Sequence, residues 1–174
     1  AGTTYGPFNV STIWQRTDDG NVSFVNTLVG ASAGWSVWHG TMGSIDLVAN
    51  VGMAIPGNDF FASPGGGWRY HNLCDLGVSF PALSTDGGPG SLGLFFGDES
   101  SIEVIAIEGT VGPLGVYDDL NTWDAPVNAQ GTTVFYAGFN GPAPDEEKAL
   151  LRKELGEAPD VLMQEGDQAA GFGK

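Results

Sequence analysis

Lysine is absent from the first 141 residues of this 174-residue chain, and only Arg16 and Arg69 are basic there. The same stretch holds 13 aspartates and glutamates, so it carries a formal charge of −11 out of −15 for the whole chain. Nucleic-acid binding needs a basic face that releases counterions from phosphates, and anionic membranes attract basic surfaces in the same way. We therefore expect no direct contact with nucleic acid and no membrane partner.

Cysteine and long apolar runs are also scarce. Cys74 is the only cysteine, which excludes an internal disulfide and a multi-cysteine zinc site. No run approaches the roughly 18 apolar residues that span a bilayer. The small first residue, Ala1, fits either loss of an initiator methionine or cleavage of a signal peptide.

Glycine, aromatic and β-branched residues are abundant instead, with 28 glycines in the chain. Glycine is unfavourable inside helices, and tight-turn signals such as Asp19-Gly20 separate short alternating segments. Residues 1–141 are therefore predicted to form an all-β body, an antiparallel sandwich, jelly roll or barrel of about seven to nine strands. The sequence shows no convincing internal repeat. The predicted strands are approximately residues 9–16, 22–29, 35–39, 44–51, 91–96, 101–110, 111–117 and 132–139.

Two parts of this body have distinctive patterns. If residues 101–110 form a strand, both of its faces are mostly apolar. This pattern predicts a central strand. Residues 55–90 contain many glycines and prolines, which predicts a long irregular loop region of functional or intersubunit importance.

The chain changes character at Pro142, and residues 142–174 are predicted to form a short helix and an extended arm. Asp145 can cap a helix over 146–155, whose last turn is basic, and Gly156 can end it. Such a short helix is unstable alone, so its apolar stripe must dock on its own body, on a neighbouring subunit, or on a partner that induces folding. The stripe contains Ala149, Leu150, Leu151 and Leu155.

Catalytic motifs are weak. Residues 30–34 match the G-x-S-x-G pattern, but a strand-like segment follows where that motif requires a helix. His71 and Cys74 are too few ligands for zinc without the sequence-distant His39. We therefore expect a protein that is not an enzyme and needs no cofactor.

Two groups of residues are candidates for binding. Predicted interface residues combine a loop rich in aromatic residues with the stripe and the arm: Trp68, Arg69, Tyr70, Leu150, Leu151, Leu155 and Phe172. Oxygen ligands between two strands form a possible calcium site, and a solvated acidic turn is the alternative: Asp118, Asp119, Asn121 and Asp124.

These features predict a structural, non-enzymatic subunit of a homo-oligomeric assembly whose arm contacts copies of itself or another assembly subunit. A virion coat, decoration or tail component is the role that this architecture favours, in a virion or extracellular particle. The alternative is a secreted carbohydrate-binding or calcium-dependent adhesive β-sandwich that uses Trp68, Tyr70 and the turn at 118–124.

Overall fold

The fold was examined in a computed structural model, which describes residues 4–5, 14–29, 34–57, 59–62, 71–85, 90–121, 125–140 and 147–167. These residues form β-strands joined by turns. None of them belongs to a helix long and apolar enough to cross a membrane.

The strands form three main antiparallel sheets, in which strands that follow one another in sequence are neighbours except for β1 and β2, which both pair with β3. Sheet I contains β1 (Thr4–Tyr5), β2 (Trp14–Arg16), β3 (Asn21–Val29), β4 (Gly34–Thr41) and β5 (Ser44–Asn50). A small pair follows, β6 (Ala54–Ile55) and β7 (Asp59–Phe60). Sheet II contains β8 (Asn72–Cys74), β9 (Gly77–Ser84), β10 (Ser91–Gly97) and β11 (Ile102–Ile107). Sheet III contains β12 (Val116–Asn121), β13 (Thr133–Asn140), β14 (Glu147–Lys153) and β15 (Asp160–Gln164). The prediction of an all-β antiparallel fold is confirmed.

Sheet II is the middle layer, because its two faces belong to two different cores. Val78, Phe80 and Phe95 lie in one core with residues of sheet I such as Val37. Leu94, Phe96 and Ile105 lie in the other core with residues of sheet III. The aromatic rings of the first core pack edge to face, with 4.9 Å between the ring centroids of Phe61 and Phe95. The sheets are therefore stacked as in a β-sandwich, with a third layer added.

The three sheets are structural copies of one unit. In each sheet the last two strands contain a β-bulge at the same place, between Val37 and Trp38, between Leu94 and Phe95, and between Leu150 and Leu151. Residues that occupy the same place relative to this bulge are called equivalent below. The expectation that the chain lacks a repeat is wrong. The sequence hides the repeat because it lies in strand register and burial more than in residue identity.

The same turn closes each unit. Gly52, Gly109 and Gly166 follow the last strand of their sheets at equal 57-residue intervals and have φ angles of 80°, 86° and 93°. Only glycine adopts this conformation without a steric cost. The residue after each glycine donates a backbone hydrogen bond of 3.1 Å to the carbonyl group three residues earlier; the donors are Met53, Thr110 and Asp167.

The predicted C-terminal helix is wrong. Residues 147–153 form β14, which pairs along its whole length with β13 and on its other side with β15. The segment is rich in helix-forming residues, but Ala149, Leu151 and Lys153 also alternate, and all three side chains are buried. Burial of this face against sheet II outweighs local helix propensity, which is a weak determinant in so short a segment.

The predicted loop region at 55–90 is wrong over residues 72–74 and 77–84, which form β8 and the almost fully buried β9. Proline cannot donate a ladder hydrogen bond, yet Pro81 lies within β9 opposite Leu94 of β10. The Leu83 carbonyl accepts a hydrogen bond from Ala62, so the backbone groups of Leu83 and, two residues earlier, of Pro81 point away from β10. The missing donor of Pro81 therefore leaves the pairing of β9 with β10 intact.

The prediction of a central strand at 101–110 was also inexact. β11 is the edge strand of sheet II. Both of its faces are apolar because sheet II is the middle layer, with Ile105 in one core and Ile107 in the other.

A large-to-small substitution tests the first core. Phe95→Ala should lower the free energy of unfolding by about 3–5 kcal/mol, because the fully buried ring leaves a cavity among other aromatic rings. Phe60→Ala is the matched control, since the Phe60 side chain is 51% exposed and should cost less than about 1 kcal/mol. Urea unfolding measures both, and equal losses would contradict the described core.

Candidate functional site

Each sheet carries two rows of cross-strand neighbours, one on each face. The front row consists of register partners in three adjacent strands: Phe24, Trp38 and Leu47 in sheet I, Phe80, Phe95 and Val104 in sheet II, and Phe135, Leu151 and Val161 in sheet III. The back row is the neighbouring set on the opposite face: Val25, Val37 and Ala49, then Pro81, Leu94 and Ala106, then Tyr136, Leu150 and Met163.

The two internal junctions are built in the same way. The back row of sheet I shares a core with Phe80 and Phe95 of the front row of sheet II. Leu94 and Ala106, from the back row of sheet II, share a core with Phe135 and Leu151 of sheet III. A front row therefore packs on the back row of the preceding sheet at each junction.

Amide side chains link the sheets at equivalent positions. Gln15, opposite Ser23, donates to the His71 carbonyl at 2.6 Å and accepts from the Leu73 N–H at 2.8 Å. Asn72, opposite Ser79, donates to the Ala125 carbonyl at 3.1 Å. Gln15 satisfies backbone groups at β8, the first strand of sheet II, and Asn72 satisfies a backbone carbonyl between the first two strands of sheet III.

Charged side chains reinforce the junctions. Lys153 is 5% exposed, and its ammonium group binds the Glu103 carboxylate of β11 and the Glu154 carbonyl. The same carboxylate accepts the Gly156 N–H at 3.0 Å. At the other junction His39 Nδ1 lies 3.7 Å from the Glu99 carboxylate. Because a buried charge is costly without a counter-ion, Glu103 fixes the turn between β14 and β15 against sheet II.

A cavity of about 380 Å³ lies between sheets II and III. Val104, Ala106, Pro113, Tyr117 and Pro159 are among its lining residues. Burial raises the pKa of Tyr117 to about 12, so its phenol stays protonated near neutral pH. This cavity offers an apolar wall rather than an acid–base pair.

The front row of sheet I and the back row of sheet III lie on the outside of the three described sheets. They are equivalent to the rows that are buried at the two internal junctions. On sheet I, Trp14 pairs with Phe24 and extends the front row, and its side chain is 70% exposed. On sheet III the back row lines a groove of about 430 Å³, in which Met163 is 59% exposed. Tyr136 and Leu150 are half-buried in the same groove. These two faces form the candidate functional site.

The structure describes three of the predicted interface residues. Trp68, Arg69, Tyr70 and Phe172 lie outside the described residues. Leu151 is fully buried in the core between sheets II and III, whereas Leu155 is 37% exposed. Of the three described residues, Leu150 lies on a candidate face.

The possible calcium ligands are spread along β12. Asp118 accepts a hydrogen bond of 2.7 Å from the Asn140 amide, Asp119 and Asn121 are exposed, and Asp124 lies outside the described residues. In the part of the chain that the structure describes, no three His, Cys, Asp or Glu side chains are placed to hold a metal ion together. Calcium binding stays a prediction from the sequence.

Sequence reasoning missed the two faces, although a weak signal was present. Residues 22–24 and 78–80 both read Val-Ser-Phe, and the three turn glycines recur at equal intervals. Aligning residues 22–24 with residues 78–80 would have placed Phe24 with Phe80, and so indicated equivalent rows in the first two sheets.

The ion pair between sheets II and III is the first test of these contacts. Glu103→Gln should lower the free energy of unfolding by about 3 kcal/mol, because the Lys153 charge stays buried without a counter-ion. Asp160→Asn is the matched control: it removes an exposed partner of Arg152 at 2.8 Å and should cost less than about 1 kcal/mol. Denaturant unfolding measures the free energy of unfolding of both variants. Equal losses would mean that the Glu103–Lys153 pair does not stabilise the junction between sheets II and III.

His71 gives a pH-dependent test. Burial lowers the pKa of His71 to about 4. An unfolded histidine has a pKa near 6.5, so the unfolded state binds more protons between these values and stability falls as the pH drops from about 6.5 to 4.

The expected loss through His71 is about 3 kcal/mol over that window. His71→Gln should remove this part of the pH dependence, which unfolding at a series of pH values measures against the wild type. Parallel curves for the two proteins would show that His71 is not neutral in the fold.

Comparisons with known proteins and protein families bear on the family of this chain. No curated protein and no solved structure matches it. The model of one family, described as a family of unknown function (DUF7453), matches residues 3–174. Since this match spans nearly the whole chain, the protein belongs to the DUF7453 family.

Proposed function

We propose that this protein is a structural, non-enzymatic subunit of a homo-oligomeric assembly. One observation carries the proposal: the two outer faces of the stack present apolar rows whose equivalents are buried at both internal junctions. Leu94 is 1% exposed and Ala106 is 3% exposed, whereas their equivalents Leu150 and Met163 are half-buried and 59% exposed.

Exposed apolar side chains at both ends support self-association. On sheet III, Met163 of the back row is 59% exposed and lies in the edge strand β15. Contiguous exposed apolar surface marks interaction sites more often than it marks inert surface. What these faces offer to a partner is apolar area, which suits assembly rather than catalysis.

The kind of assembly is proposed from the sequence alone. We propose a virion coat, decoration or tail component, located in a virion or extracellular particle. We still propose that the C-terminal region makes contacts between subunits, but as part of sheet III and not as a free arm. Residues 147–164 supply two strands of that sheet and line its groove.

The test is the mass of the full chain in solution. Light scattering after size exclusion, over a wide concentration range, should give a species of more than one copy at the higher concentrations. Removing residues 142–174 is not a clean variant, because it deletes β14 and β15 and exposes the core of sheet III. A chain that stays monomeric at every concentration would overturn the proposal.

A further inference from the structure

Tyr117 and Phe61 occupy the same place after two of the turn glycines. The Tyr117 carbonyl accepts the Gly109 N–H at 2.8 Å, and the Tyr117 N–H donates to the residue after that glycine at 2.9 Å. The Phe61 carbonyl accepts the Gly52 N–H at 2.8 Å, and the Phe61 N–H donates to the residue after Gly52 at 3.0 Å. Both side chains are buried, at 3% and 1% exposure. The fold therefore places a buried ring here in both units, and in the first unit phenylalanine is sufficient.

The hydroxyl group is what distinguishes Tyr117 from Phe61. The Tyr117 ring packs on Phe139, with 4.9 Å between the ring centroids. The hydroxyl oxygen is buried and has no hydrogen-bond partner among the residues that the structure describes. A buried donor without a partner destabilises a fold, so packing alone would favour phenylalanine here as well. The hydroxyl therefore indicates a role other than packing.

Tyr117 lies in the wall of the cavity of about 380 Å³ between sheets II and III. A Cβ atom at Gly112, another lining residue, would lie 2.4 Å from Tyr117 Cζ, the carbon that carries the hydroxyl. The hydroxyl end of the ring is therefore close to the part of the wall that Gly112 forms. A larger residue at Gly112 would displace it.

The lining side chains determine what this cavity can hold. None of those that the structure describes is charged, and most are apolar, such as Val104 and Pro159. Thr110 carries a second hydroxyl group, which already donates to the Ile107 carbonyl at 2.7 Å. Tyr117 therefore supplies the one uncommitted side-chain donor in the described part of the wall. Burial raises the pKa of this phenol to about 12, so it keeps its proton and donates near neutral pH.

We propose that this cavity binds a small, uncharged and mainly apolar molecule with a hydrogen-bond acceptor, such as a carbonyl oxygen, to which the Tyr117 hydroxyl donates. Small-molecule sites usually have volumes of about 300–1,000 Å³ and apolar walls with few polar groups. An anion is disfavoured, because no described lining side chain is basic and the chain carries a net charge of −15. The hydroxyl oxygen is out of contact with solvent, so a small shift of the ring or of the turn at 110–113 accompanies binding. This inference goes beyond the proposed assembly function and does not depend on it.

Two probe molecules of nearly equal shape test the need for an acceptor. Acetophenone has a carbonyl group where α-methylstyrene has a methylene group, so acetophenone alone offers an oxygen to Tyr117. Titration of the isotope-labelled full chain, followed by amide NMR shifts, gives the dissociation constant and the location of each probe. We expect shifts concentrated at residues 104–106, 110–112 and 158. Acetophenone should bind about fivefold more tightly, which is what one net hydrogen bond supplies.

Tyr117→Phe removes the hydroxyl and keeps the ring. Acetophenone should then bind about as tightly as α-methylstyrene, whose own affinity should not change. Without a probe, the thermal midpoint of the variant should equal or exceed that of the wild type, because an unpaired buried donor is removed. A clear fall of the midpoint would show that the hydroxyl already has a partner within the fold, and the proposal would then be wrong.

A second variant tests the location of the site. Ala158 is exposed and lines the cavity, so Ala158→Phe should fill the space and weaken the binding of both probes at least about tenfold. Ala129→Phe is the matched control, because Ala129 is exposed in the turn before β13 and is not among the lining residues. It should bind both probes as the wild type does.

Three outcomes would overturn the proposal. The wild type could bind neither probe, it could bind both with equal affinity, or the shifts could lie outside the cavity. The first and third results would exclude the site, and the second would exclude the hydrogen bond from Tyr117. All three leave the oligomeric state, and with it the proposed assembly function, to its own test.

Discussion

The packing of a front row on the back row of the preceding sheet is the contact on which the rest of the structure depends. An isolated four-stranded antiparallel sheet of this size has too little apolar surface to be stable alone. Each sheet here gains stability by covering its neighbour, and sheet II is covered on both faces. Phe80 and Phe95 therefore define the position of sheet II on sheet I, and Phe135 and Leu151 define that of sheet III on sheet II.

A repeated unit explains several features that look unrelated when taken singly. The bulge near the end of each sheet adds twist to its last strand, and the glycine turn after that strand redirects the chain toward the next unit. Side chains then make specific contacts across the junction. Gln15 and Asn72 bind backbone groups of the following sheet, and the buried Lys153 meets Glu103 of the preceding one.

A stack of repeats always leaves two terminal faces, and proteins of this kind either cap them with polar residues or use them for contacts. In this chain Trp14 and Met163 are the exposed members of those faces. Their exposure follows from the same pattern that buries their equivalents inside the stack. The proposed assembly function extends the internal packing rule to contacts between copies.

The amino-acid sequence by itself determined the all-β class, the strands at 21–29 and 91–97, and the tight turn at Asp19-Gly20, because alternation and turn residues are local signals. It could not decide between helix and strand for β14, since Glu147 to Lys153 suits both and only pairing with β13 favours the strand. It also hid β9, because the glycines and prolines of residues 55–90 predicted a loop and only the pairing with β10 shows a strand there.

The tertiary structure alone decided which rows face a neighbour and which face solvent. Phe24 and Phe80 occupy equivalent strand positions, and nothing local to either residue says that the first lies on an outer face and the second in a core. The two apolar faces of β11 are a second example. The sequence pattern suggested a strand in the middle of a sheet, whereas the structure shows an edge strand of the sheet that is the middle layer. Burial is a property of the stack, and a residue's own sequence neighbourhood does not record how many sheets lie beyond it.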